Sequence, residues 1–133
     1  MYVVDEWSPD AHGPVSEAEL PEVYGRINGA EVSWDGDTWD GERWREGDCL
    51  IVHVYGEWSF ITLKHEDTFY CLTVCGEGGA KNGHPEEEVE LPLGGQGGHV
   101  KRKYLAPREL GLAVLSRAGD TSGLLSDYVW TAE

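Results

Sequence analysis

Positive charge is the scarcest property of this sequence: ten Lys and Arg stand against 25 Asp and Glu in 133 residues, a formal charge of -15. A surface this acidic repels nucleic acid and anionic membranes, which argues against both as partners and favours a basic protein that the field can steer. Long apolar runs are missing too. The longest aliphatic stretches, Leu50-Ile51-Val52 and Leu112-Ala113-Val114-Leu115, fall far short of the roughly 20 residues that a membrane span needs. Residues Met1 to Glu6 have neither the basic start nor the apolar middle of a secretory signal, so the expected location is the cytoplasm. Cysteine is sparse. Cys49, Cys71 and Cys75 are odd in number and too few for a disulfide framework, which fits a reducing compartment and small core side chains.

Catalytic spacing is lacking as well. The sequence contains no G-x-S-x-G, no phosphate-binding G-x-x-x-x-G-K and no helical His-Glu zinc pair. Cys71 and Cys75 share a strand face by parity, but they stand about 13 Å apart along an extended chain, too far for one zinc ion. The run Trp34-Asp35-Gly36-Asp37-Thr38-Trp39-Asp40-Gly41-Glu42 resembles a calcium loop until its positions are counted: Trp39 falls where a ligand should be and Asp40 where glycine is required. Gly94-Gly95-Gln96-Gly97-Gly98 is followed by strand-forming residues, so it reads as a hairpin loop and not as a phosphate cradle. No catalytic residue, metal ligand or cofactor is assigned, and the chain is expected not to be an enzyme.

What is present is enough chain for one folded domain with a core of its own. Ser16 and Glu19 have capping-box spacing, which predicts a short helix over 16–27 that ends at Gly29. The segment 34–47 is rich in Asp-Gly turns and is expected to be a loop. Residues 48–55, 57–63 and 68–75 are rich in β-branched and aromatic side chains and predict an antiparallel meander. Both faces of these strands are largely apolar, since Leu50, Val52 and Val54 alternate with Ile51 and Tyr55; the expectation is a sheet covered on much of both sides or by a partner. Glu88 to Leu93 alternates as an edge strand, and a hairpin centred on Gln96 would set Glu90 opposite Arg102 and Val89 opposite Lys103. A second helix starts at Pro107 and runs to Arg117, Gly119 terminates it, and Asp127 to Thr131 closes as a strand. The expectation is an α+β domain spanning 1–133, with an antiparallel sheet of about five to six strands and two helices. Residues 1–47 supply the first helix and acidic loop, and 48–133 the rest.

Charge and aromatic residues single out candidate contacts. Residues 1–100 hold 21 acids and 5 bases, a charge of -16, whereas residues 101–133 carry +1. Trp34, Trp39 and Trp44 recur every five residues, a spacing that fits neither helix nor strand, so all three cannot share one core. Large aromatics among acids suit a protein interface, where the rings supply burial and the charges steer. The candidate partner-binding residues are therefore Trp34, Asp35, Asp37, Trp39, Asp40, Glu42 and Trp44, with the acidic run Glu86, Glu87 and Glu88. The competing reading of the tryptophans is that they cap an open edge of the sheet.

The order of features in the second half resembles a known family. Tyr70 to Val74, a glycine-rich link, Leu93-Gly94-Gly95-Gln96 with His99, Tyr104-Leu105-Ala106-Pro107-Arg108-Glu109-Leu110, Ala113, Gly119 and Tyr128-Val129-Trp130 are similar to immunity protein family one of bacterial polymorphic toxin systems. The resemblance covers about residues 68–133. Two features depart from it: the stretch from Gly119 to Ser126 is longer than the family's turn and has no Pro, and the Trp-Asp-Gly segment has no counterpart there. The resemblance implies a small cytoplasmic antidote that blocks a cognate toxin domain delivered between competing bacteria, in some relatives a nucleic-acid deaminase. Two other readings stand beside it: an acidic adaptor for a different basic partner, and a small enzyme using Cys75 or a histidine.

Overall fold

The computed structural model describes residues 2–6, 14–27, 30–36, 38–45, 47–73, 88–93 and 96–132. Strand β1 (Tyr2–Glu6) and the two-residue β2 (Pro14–Val15) precede helix α1 (Leu20–Arg26). Then come β3 (Ala30–Asp35), β4 (Thr38–Trp39), β5 (Trp44–Arg45), β6 (Cys49–Tyr55), β7 (Trp58–His65) and β8 (Thr68–Leu72). The remainder is β9 (Glu88–Leu93), β10 (Gln96–Lys101), a 3-10 turn (Arg102–Tyr104), β11 (Leu105–Pro107), α2 (Arg108–Leu115), α3 (Thr121–Asp127) and β12 (Trp130–Ala132). The main sheet is antiparallel, in the order β12-β8-β7-β6-β3-β1-β2, with β11 on the remaining part of β7. It is the α+β class the sequence predicts. Among the described residues no helix is long and apolar enough to cross a membrane.

The meander β6-β7-β8 forms where expected. Its alternation sorts side chains between two faces, as the two-residue period of a strand requires. Leu50, Val52 and Val54 of β6 and Ile61 and Leu63 of β7 are buried on one face, with Val32 of β3 and Leu72 of β8. Leu20, Tyr24 and Ile27 around α1, Val114 and Leu115 of α2 and Leu124 of α3 cover them. The opposite face carries its own cluster, in which Val100, Tyr104 and Leu105 close over Cys71 beside Trp58 and Phe60. A sheet apolar on both sides is thus covered by helices on one face and, over part of the other, by the end of the β9-β10 ribbon and the residues after it, while Tyr55 and Phe69 on that face stay exposed.

Local chemistry explains the helix ends. Ser16 donates its hydroxyl to Glu19 Oε1 at 2.8 Å and accepts the Glu19 amide at 3.3 Å, so only half of a capping box forms, with the carboxylate on the Ser16 hydroxyl in place of its amide, and the N-cap of α1 is Glu19. This pairing organises the turn that precedes α1; the helix itself is shorter than 16–27 and stops at Arg26. Asp120 accepts the Gly123 amide at 3.3 Å as N-cap of α3, and Arg117 bridges Asp120 at 3.2 Å and Asp127 at 2.8 Å. The β7-β8 loop is Glu66-Asp67, both at positive φ, the backbone that a two-residue hairpin favours.

Several expectations are corrected. The chain has three α-helices among the described residues, not two, because Thr121–Asp127 is helical; the last strand accordingly begins at Trp130 and not Asp127. Helix α2 spans Arg108–Leu115 instead of running from Pro107 to Arg117, since Pro107 still pairs with Trp58 in the sheet. The segment 34–47 is no simple loop: Trp34 and Asp35 end β3, and β4 and β5 form a ribbon. In the β9-β10 hairpin Leu93 stands opposite Gln96, so Glu90 faces His99, Val89 faces Val100 and Glu88 faces Lys101. Arg102 and Lys103 lie in the 3-10 turn beyond the ribbon and are not partners of Glu90 and Val89.

Candidate functional site

The β3-β6 connection is the exposed feature that the sequence reading points to. Asp35 pairs with Cys49 at the end of the sheet, and the Gly36 amide donates to the Asp48 carbonyl at 2.8 Å, closing the base of an excursion over 37–47. Among the described residues β4 and β5 pair only with each other, Thr38 opposite Arg45 and Trp39 opposite Trp44. This register accounts for the five-residue spacing of Trp39 and Trp44: the two residues oppose one another across a four-residue turn. Asp40, Gly41, Glu42 and Arg43 form that turn and are exposed. Asp40 Oδ1 accepts the amides of Glu42 at 2.9 Å and Arg43 at 3.0 Å, an Asx turn, so Asp40 builds the tip in addition to charging it.

The predicted residues separate into different roles. Asp35 and Glu42 are exposed carboxylates on the strand end and the ribbon tip. Trp34 is half-buried and packs against the main core, where its ring lies against Gly36 and Gly119. A Cβ added to Gly36 would come within 2.9 Å of Trp34 Cη2, so only glycine allows this approach. Trp34 is thus a wedge at the root of the ribbon; it caps no open edge, because β3 lies between β1 and β6 in the sheet. Glu88 is exposed at the start of β9, opposite Lys101. Asp37, Glu86 and Glu87 lie outside the described residues, as do Cys75 and the central part of the glycine-rich link.

At the root sits a polar cluster that sequence reasoning did not single out. His65 Nδ1, at the end of β7, is 2.7 Å from Asp48 Oδ1, and the Thr121 hydroxyl, at the start of α3, donates to Asp48 Oδ2 at 2.6 Å. Partial burial pushes the Asp48 carboxyl toward neutrality, but the hydrogen bonds from Thr121 and His65 and the His65 charge outweigh it and hold the group below its ordinary value of 3.8. An aspartate orienting an imidazole through Nδ1 is also the geometry of a general base. Here His65 Nε2 faces the exposed Glu66 carboxylate at 3.9 Å, and a carboxylate is neither a nucleophile to be activated by deprotonation nor a sign of a substrate pocket.

Two other ionisable pairs are structural. Arg108 donates to the carbonyls of Tyr24 at 2.7 Å, Ile27 at 2.6 Å and Gly56 at 3.0 Å, while the Tyr24 hydroxyl donates back to the Arg108 carbonyl at 2.5 Å. The guanidinium thereby caps the end of α1 and ties it to the β6-β7 turn. Burial pushes the Tyr24 phenol up to about 12, against the lowering effect of Arg108. On the other face of the sheet His53 lies 3.6 Å from Glu31 and tilts against Phe60, and burial lowers its pKa although Glu31 opposes the shift. Among the described residues no three His, Cys, Asp or Glu side chains group as metal ligands. No family model, curated protein or solved structure matches this chain.

Proposed function

We propose that this protein is an immunity-type antidote, a cytoplasmic inhibitor that binds a cognate basic toxin domain used in competition between bacteria. The observation that carries the proposal is the location of the charge: residues 1–100 bear -16, and within them an exposed acidic turn is carried on its own two-stranded ribbon. A nucleic-acid deaminase is the favoured target, because it needs a basic channel for phosphates and a pocket for the extruded base. An acidic projection with Asp35, Asp40 and Glu42 is complementary to such a channel in charge, and Trp39 and Trp44, the aromatic anchors that the sequence offers, stand opposite one another on its strands. The resemblance of residues 68–133 to immunity protein family one supports the same reading.

The inhibitor requires no catalytic group, cofactor or metal for this role. Co-expression with the toxin domain encoded beside it tests the proposal. The expected outcome is restored growth, a stable complex and loss of toxin activity in vitro. Continued killing with both proteins soluble and folded would reject it.

A further inference from the structure

The ribbon β4-β5 leaves the sheet through a single root, and three elements distant in sequence meet there. The Gly36 amide is bound by the Asp48 carbonyl at 2.8 Å, and the Trp34 ring lies against Gly36 on one side and Gly119 of the α2-α3 connection on another. The Asp48 carboxylate then reaches outward in two directions, to Thr121 at 2.6 Å and to His65 at 2.7 Å. One residue thus uses its backbone to close the ribbon and its side chain to fasten that closure to α3 and to the end of β7.

We infer that the Asp48 carboxylate, held between Thr121 and His65, is a positioning clamp that fixes the ribbon β4-β5 in one orientation on the sheet. A two-stranded ribbon is marginal alone in water, and among the described residues this one pairs with no other strand. Fastening its root is therefore a way to hold it in order. Both oxygens of the carboxylate are engaged, so the root cannot swing without breaking a charge-assisted hydrogen bond, and such bonds are roughly twice as strong as neutral ones. A clamped ribbon has already lost the freedom that a floppy loop would lose on binding, which is the source of tight binding by preorganised surfaces. The functional half of this inference rests on the proposed antidote reading; the clamp itself does not.

Amide hydrogen exchange on the whole chain tests it. Asp48→Ala retains the backbone carbonyl that accepts from Gly36, so it removes the side-chain clamp alone. Exchange at Gly36 and across residues 38–45 should accelerate about tenfold or more, while residues 50–54 and 59–63 keep their protection. Thr121→Val, milder and nearly isosteric, should give a smaller acceleration confined to the same segment, and it serves if Asp48→Ala weakens the whole fold. Unchanged exchange in the ribbon of both variants, or equal acceleration in ribbon and core, overturns the clamp. Faster ribbon exchange with unchanged affinity for the toxin domain would keep the clamp and move the binding surface elsewhere.

Discussion

Two polar junctions in this molecule use the same chemistry for different ends. At Arg108 a guanidinium gathers three backbone carbonyls from α1 and the β6-β7 turn, beside a buried tyrosine. At Asp48 a carboxylate gathers two side-chain donors, from β7 and α3, at the partly exposed root of the ribbon. The first joins core elements to one another. The second joins the core to something that projects from it. Breaking the Arg108 junction should therefore cost global stability, whereas breaking the Asp48 junction should cost local order.

Substitutions can sharpen that contrast. Arg108→Ala removes charge-assisted bonds to three carbonyls and should lower unfolding free energy by about 2–3 kcal/mol, read from denaturant midpoints. Gly111→Ala comes next. The added methyl would sit 2.9 Å from Val52 Cγ1 and 3.1 Å from Ser59 Cβ and would meet the Tyr24 hydroxyl, so overpacking of about 1–3 kcal/mol should exceed the gain of about 1 kcal/mol in helix propensity. A variant more stable than the parent would show that α2 does not press on the sheet as described. Tyr24→Phe loses the partly buried hydrogen bond to the Arg108 carbonyl and should cost about 1 kcal/mol.

The effects at the other junction are smaller in stability and appear in different observables. The folded Asp48 carboxyl titrates below its ordinary value of 3.8, so its contribution is complete above that pH and is lost as pH falls through the lower, folded value. Asp48→Asn should reduce the loss of stability below pH 3.8, measured by chemical denaturation at successive pH values. The smallest effect belongs to Glu42→Lys. Glu42 is exposed on the ribbon tip, so reversing it should leave folding intact, slow association with the toxin domain by about threefold at low salt and weaken the salt dependence of that rate. Asp40 is a poor choice for the same experiment, because its carboxylate holds the turn.

Much of the framework was legible because it is written in local patterns. The β6-β7-β8 meander announces itself by alternation and short turns, the turn before α1 by Ser16 and Glu19, and α2 by Pro107 and its apolar stripe. Strand β3 was missed although Ala30, Val32 and Trp34 alternate, because the Asp-Gly turns that follow dominated the reading of the segment. Helix α3 contains Gly123 and two serines, so its propensity is weak; its N-cap Asp120 was the available signal. A hairpin centred on Gln96 misses the β9-β10 register by three residues, because Gln96 is already paired with Leu93 and two-residue connections are the commonest in hairpins.

The candidate site was legible in part. Exposure of Asp40 and Glu42 follows from their charge and turn context, and both are found exposed. The wedge role of Trp34 depends on Gly119, and the Asp48 clamp depends on His65 and Thr121, which are 17 and 73 residues away. No local periodicity encodes such distances. Arg108 was noted among the residues that carry the family resemblance, yet its part in capping α1 depends on carbonyls more than 80 residues earlier.

The central claim is that an acidic ribbon recognises a basic toxin domain. The measurement that tests it most directly is the affinity of the purified protein for the toxin domain encoded beside it, by titration at low and high salt, with toxin activity assayed on the same samples. The account predicts a tight complex that abolishes toxin activity and weakens as salt rises. Absence of binding at low salt, or an active toxin within the complex, would contradict it.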